Sequence, residues 1–524
     1  MKSFLEKYSK MIWGAISGMD RVCFRGTQRL LANTKGMISY MSFRGILLKD
    51  FGPWVASITR KVRASCEQVA MEAGRPVEYL RSSSVSKEEL AKRIAERDGI
   101  DSGLVCAFSV VEPCVSFAIE ANRSTKKLEP TMRTRKCVWV YHYWNHPEYG
   151  FSHLRMQTWL PLTVKGCING RHWLARQLDK EVVDYRREAN GFTWIEDMDK
   201  AQELLDVQLK TDWQKMLSGM LDEVCPAYRS LFGKDFMPHY WSADETEWAT
   251  DVLFKRASDL ARIYPQLIQY GMSVFDSPNV LRFLGRRLTG QGQVHKNLTE
   301  AEVSTSMNRR PEGVRMKHSV NRNSVKMYDK CGSILRVETT INNTREFKVF
   351  RHPNDDQHRK AKWQKMRKGV ADLHRRARVS QACNERYLDA VADAPTGENL
   401  RELFSGISQR VKKKGKTYRA INLWKEDDQQ LLRFIAKGEY AINGLRNRDM
   451  RQEIFPDVDS TDKIARRRVS GKITRRLMLL RAHGLIRKVP KTHRYVVTKK
   501  GHRIASALIL AGKTTVEQLT ELAA

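Results

Sequence analysis

The sequence lacks the features that mark several large functional classes. None of its nine cysteines (Cys23, Cys66, Cys106, Cys114, Cys137, Cys167, Cys225, Cys331, Cys383) forms a CxxC pair. That excludes a zinc ribbon or a thioredoxin-type motif, and the odd count argues against a disulfide framework. Without a Walker loop or a GxGxxG fingerprint, nucleotide-driven motor activity is not expected. No run reaches the roughly 18 apolar residues of a membrane span, and the opening MKSFLEKYSKMIWG is mixed and polar. The expectation is a reduced, cytoplasmic protein with no membrane attachment.

Acidic charge is also scarce. The 524 residues carry 59 Asp+Glu against 93 Lys+Arg, a formal net charge of +34, while 41% apolar residues suffice to build cores. Self-repulsion of that size opposes compaction unless a polyanion compensates it, so nucleic acid is the expected partner. The charge is unevenly placed. Residues 401–503 carry +18 and residues 303–380 carry +13, leaving +3 on the other 343. The first of these blocks is as rich in Arg, whose planar fork suits phosphates and base edges, as in Lys.

The expected fold class is α+β, multidomain, with an antiparallel sheet body and a C-terminal winged helix-turn-helix. Five regions follow from composition: an α+β domain over 1–168, a mainly helical subdomain over 169–302, a basic segment over 303–400, a basic linker over 401–424 and the winged helix over 425–524. In the first, Asp20–Gly26 reads as a strand, Trp54–Ala73 as a helix, and Ser86 with Glu89 as a capping box opening a helix to about Asp98. Leu104–Val111, Cys114–Ile119, Lys136–Tyr143, Phe151–Leu160 and Leu162–Cys167 read as an antiparallel meander. Ala201–Met220 and Trp248–Tyr270 read as helices, Arg315–Asn323 as a basic cluster that contacts nucleic acid or, alternatively, as a flexible basic loop, Arg359–Arg378 as a basic helix and Val411–Lys416 as a linker.

Toward the C-terminus, Asp428–Gly438, Gly444–Phe455 and Lys463–His483 read as three helices, and Tyr495-Val496-Val497 as a returning strand. In the third helix Ile473, Leu477 and Leu480 face inward, with Lys472, Arg475, Arg476 and Leu479 outward. LRAHGLIRKVPKTHRYVVTKKG resembles the recognition-helix end and wing of MarR-type winged-helix regulators. The resemblance covers roughly 425–510 and implies that Lys472, Arg475 and Arg476 enter a major groove. Lys488, Lys491, His493 and Arg494 would then meet phosphate or minor groove. A winged helix used for protein contacts or RNA shape readout is the alternative.

The segment Ser324–Ile341, SVKMYDKCGSILRVETTI, reads as a β-hairpin. A three-residue loop Cys331-Gly332-Ser333 places Lys326, Tyr328, Lys330, Arg336, Glu338 and Thr340 on one face, whereas a two-residue loop mixes the faces. Tyr328 is a candidate nucleophile, Glu338 a candidate metal ligand, and Lys330 a candidate charge stabiliser for phosphodiester chemistry assisted by Mg2+ or Mn2+. An ordinary cross-strand Lys–Glu pair on an exposed face is the alternative. Arg315, Lys317, Asn321 and Arg322 lead into the hairpin and, with Lys326 and Arg336, are expected to contact nucleic acid.

KMYDK followed by LRVE is similar to a strand pair of rolling-circle replication initiators, and DRVCF at Asp20–Phe24 looks like their opening strand. That resemblance spans about 25 residues. It implies a mobile-element or replicon protein, a metal-dependent endonuclease that nicks or transfers a DNA strand, with Asp20 and Glu338 at a metal. The His-hydrophobe-His metal motif is missing; His153, alternating with Phe151 and Arg155, is the candidate third ligand. A non-catalytic DNA-binding regulator, or the protein component of a structured-RNA ribonucleoprotein, is the competing expectation.

Overall fold

The computed structural model describes residues 1–232, 238–286, 303–310, 313–352, 360–394, 400–413, 415–437, 440, 444–456, 462–490, 492–512 and 514–515. Its α+β chain divides into two compact units, each assembled from separated segments. One comprises 15–250 and 339–381, the other 1–14, 251–338 and 382–524. The strands are β1 (Ile12–Thr27), β2 (Val77–Leu80), β3 (Gly103–Asn122), β4 (Lys127–His146), β5 (Gly150–Gln157), β6 (Val164–Asn169), β7 (Tyr185–Glu188), β8 (Gly191–Ile195), β9 (Tyr240–Phe254), β10 (Val303–Arg310), β11 (Gly313–Val320), β12 (Asn323–Lys330) and β13 (Ile334–Ile341), followed by short C-terminal strands.

The unit built on 15–250 is organised by a mixed sheet in the order β9-β1-β6-β5-β4-β3-β2. Strands β3 to β6 form the expected antiparallel meander, β1 pairs antiparallel with β6, and β2 adds to β3 in parallel. Leu104–Val111 and Cys114–Ile119, expected as two strands, run as one. Strand β2 stops opposite Val110, so at Pro113 only the ladder with β4 remains, and a missing N–H is tolerated there. The helix Lys87–Arg97 starts at Ser86, whose side chain accepts from the Glu89 N–H at 3.3 Å. Its Ala91 and Ile94 pack with Phe108, Val110, Trp139 and Tyr143 of the sheet.

Two disulfides correct the expectation drawn from the cysteine count. Cys23 and Cys167, directly opposite on β1 and β6, are joined, as are Cys114 and Cys137 across β3 and β4. The partners are brought together by strand pairing rather than by sequence spacing, which is why spacing did not show them. A further correction concerns 240–254: the segment expected to open a helix at Trp248 is strand β9, and the helix runs from Ala257 to Val274. WATDVLF is buried almost throughout, so its aromatic and β-branched residues follow the sheet around them. The basic helix expected at 359–378 starts only at Leu373, after a hairpin of Lys348–Arg351 with Lys362–Lys365.

In the other unit, β10, β11, β12 and β13 follow one another in the sheet. Arg315–Asn323, for which a flexible loop was the alternative, therefore lies mostly on strand β11. Its alternation is visible once paired: Met316, His318 and Val320 are fully buried. They face the helix Ala257–Val274, in which a Cβ on Gly271 would collide with the Met316 side chain.

The C-terminal part contains the helices Glu426–Ala436, Asn447–Ile454, Lys463–Ala482 and Lys499–Ala511, with short strands Leu445–Arg446, Ile486–Lys488 and Arg494–Val497 in one three-stranded sheet. Leu431, Leu432, Ile435, Ile473, Leu477 and Leu480 form its core. Leu479, expected to face outward, is 7% exposed and joins that core. The last helix was not foreseen, and the basic linker at 411–416 is a small hairpin of Val411–Lys413 with Lys416–Tyr418.

Candidate functional site

Between β12 and β13 the chain turns through Cys331, Gly332 and Ser333, with positive φ at Cys331 (55°) and Gly332 (73°). This is the three-residue loop expected, with glycine where the left-handed region favours it. Glu338 thereby meets the other arm of the hairpin. Lys326 Nζ donates to Glu338 Oε1 at 2.6 Å and Tyr328 Oη donates to Oε2 at 2.9 Å. On β11, Arg315 stands opposite Tyr328 and Lys317 opposite Lys326. The site residues expected at Arg315, Lys317, Lys326, Tyr328 and Glu338 thus share one patch of sheet.

Electrostatically the patch is poised around an ionised carboxylate. Burial alone would raise the Glu338 carboxyl, yet Lys326, Arg336 and the Tyr328 hydroxyl outweigh it and hold the group below the ordinary carboxylate value. At 2% exposure, Glu338 is not the solvent-facing residue of an exposed face. All of β13 is buried, because the strand is covered on both sides.

A buried carboxylate group provides a place where a divalent ion can bind. Asp20 and Glu247, both in the unit built on 15–250, each offer one oxygen, and the two lie within 4.8 Å of each other. Oxygen donors of this kind suit Mg2+ or Mn2+. Asp20 is 4% exposed and accepts from Asn190 Nδ2 at 2.8 Å. Glu247 lies on β9. Its place on a strand is what brings it to the group.

No family model, curated protein or solved structure matches this chain.

Two expected site residues, Arg336 and His153, are placed otherwise. Arg336 is fully buried, and its guanidinium donates to both Asp251 oxygens, Nε to Oδ1 at 2.6 Å and Nη2 to Oδ2 at 2.9 Å. A fork enclosed and occupied in this way does not reach a phosphate. His153 lies on β5 against aromatic rings, its centroid 5.2 Å from that of Tyr143 and 6.2 Å from that of Tyr141, and does not join the carboxylates of Asp20 and Glu247. Burial pushes its imidazole down to about 4, keeping it neutral at pH 7. Lys330 ends β12 at the loop, half-buried. Asn321 and Arg322 form the exposed β11–β12 turn.

In the C-terminal part, Lys472 and Arg475 are exposed on the helix Lys463–Ala482. Arg476 is drawn inward, donating to Asp427 Oδ1 at 3.0 Å with its guanidinium 5.3 Å from the Phe455 ring centroid. Lys488, His493 and Arg494 are exposed on the strand pair that follows; Lys491 lies outside the described residues. Among the described residues, no helix is long and apolar enough to cross a membrane.

Proposed function

We propose that the protein binds nucleic acid, with the C-terminal part acting as a winged helix on duplex DNA. The observation that carries this is the order helix, strand, helix, helix and strand pair, with the third helix burying Ile473, Leu477 and Leu480 and presenting Lys472 and Arg475. A helix that is packed on one side and cationic on the other fits a major groove, and the strand pair with Lys488, His493 and Arg494 reaches the flanking phosphates. Arg476, tied to Asp427, makes a smaller contribution to contact. Fluorescence anisotropy with labelled duplex DNA at several salt concentrations tests the proposal; absence of binding at low salt refutes it.

A second reading is favoured by the hydrogen bond from Tyr328 to the buried Glu338: metal-dependent cleavage of a DNA strand by a mobile-element or replicon protein. Glu338 would be a ligand of Mg2+ or Mn2+, which would stabilise charge on the phosphate. Glu338 accepts the Tyr328 hydroxyl proton's hydrogen bond and orients that oxygen, while Lys326, Lys317 and Arg315 supply cations along the same face. Nicking of labelled single-stranded DNA with Mn2+, by the wild type and by Tyr328→Phe and Glu338→Gln, separates this from a purely binding role. Equal cleavage by all three, or none by the wild type, removes it.

A further inference from the structure

Four neighbouring strands place Tyr141 (β4), Arg155 (β5), Lys165 (β6) and Arg25 (β1) directly opposite one another in a single row. At the spacing of about 5 Å between strands, three cations stand side by side on one face of the sheet. Like charges directly opposite are destabilising, so such a row requires compensation.

Compensation is incomplete. Arg155 has Glu112 at 3.0 Å and Arg25 has Asp244 at 2.7 Å. Glu112 is shared, however, since Lys87 Nζ lies 2.8 Å from it and Tyr141 Oη donates to it at 2.7 Å. Four cations (Lys87, Arg155, Lys165, Arg25) thus face two carboxylates. The middle one, Lys165, is half-buried, and among the described residues its ammonium makes no hydrogen bond or ion pair; the Trp139 ring centroid is 6.0 Å away. Burial, then Arg25 and Arg155, push the Lys165 ammonium below its ordinary value. An apolar residue of similar length would be more stable here, so the lysine calls for a function that needs its charge.

We propose that Lys165, flanked by Arg155 and Arg25, is an anion site for a phosphate group, filled by the phosphodiester backbone of a single nucleic-acid strand. The source of the phosphate rests on the nucleic-acid reading above; the site itself does not. Arg155 and Arg25 keep their carboxylate partners and contribute field. Lys165, with all three N–H donors available, makes the direct contact.

Lys165→Met in the full-length chain tests the site, because it keeps the stem against Trp139 and removes only the charge; Lys165→Gln is the second variant. Three results are expected. Without ligand, the Tm of Lys165→Met equals or exceeds that of the wild type. Inorganic phosphate at constant ionic strength raises the wild-type Tm but not that of either variant. For a labelled single-stranded oligonucleotide, both variants bind about tenfold more weakly, and the slope of log affinity against log salt shrinks by about 0.7. A phosphate response retained in both variants, together with unchanged oligonucleotide affinity and slope, overturns the proposal. A ligand-free Tm lowered in both variants, with the phosphate response intact, also overturns it, since Lys165 would then be structural. If the wild type binds no oligonucleotide but phosphate stabilises only the wild type, the anion site stands and the nucleic-acid reading falls.

Discussion

Removing the Asp251 carboxylate should strand a buried guanidinium. Arg336 and Asp251 are both fully enclosed and joined by two hydrogen bonds. Deleting one member of such a pair leaves the other buried charge without its bidentate partner and costs about 3–5 kcal/mol. Replacing both members with apolar residues of similar volume removes both desolvation penalties and is about neutral. Asp251→Leu alone should therefore lower the urea midpoint by about 2 M, taking about 4 kcal/mol and a slope near 2 kcal/mol/M. Asp251→Leu with Arg336→Met should recover most of that loss. Unfolding followed by tryptophan fluorescence, with the slope unchanged across the set, provides the comparison. A single variant within about 1 kcal/mol of wild type, or a double variant no better than the single, refutes the idea that the pair is charged and buried. The pair also bears on the site: Arg336 is one of the charges that keep Glu338 ionised, so its loss should move the Glu338 carboxyl upward.

Other outcomes follow from the same geometry. Mn2+ should raise the wild-type Tm by calorimetry and leave Asp20→Asn unshifted, since one of the two neighbouring carboxylate donors, Asp20 and Glu247, is gone; an equal shift in both places the ion elsewhere. His142, His153, His239 and His318 are each pushed down to about 4 by burial, from an ordinary value of 6.5. Between pH 6.5 and 4 the unfolded chain takes up protons that the folded chain refuses, so their contribution is complete above 6.5 and is lost as pH falls through 4. Urea midpoints at pH 7.5, 5.5 and 4.5 should decline in that order, and a flat profile contradicts this. Lys317→Ala should weaken single-strand binding uniformly across sequences and reduce the salt slope by about one contact, which a set of unrelated oligonucleotides checks.

Local signals were legible in the sequence. The capping pair Ser86 and Glu89, the glycine of the Cys331-Gly332-Ser333 loop, and the 3.6-residue spacing of Ile473, Leu477 and Leu480 all act within a few residues, and the structure has them where the pattern puts them. What eluded the pattern depends on distant segments. Burial within the sheet turns Trp248–Phe254 into strand, and only then does Glu247 reach Asp20. The same holds for the cysteines, whose partners lie 144 and 23 residues away. Arg336 illustrates a different limit. Strand alternation gave the correct face, but that face is covered, and its guanidinium pairs with an aspartate 85 residues earlier. Alternation distinguishes the two sides of a strand without saying which side meets water.

Binding of duplex DNA by the wild type and by Lys472→Ala with Arg475→Ala, measured by anisotropy from low to physiological salt, tests the central claim most directly. The account predicts salt-dependent binding by the wild type and a loss of about tenfold or more in the double variant, with the salt slope smaller by about two contacts and the Tm unchanged. Equal affinity and equal slope in the two proteins would contradict it.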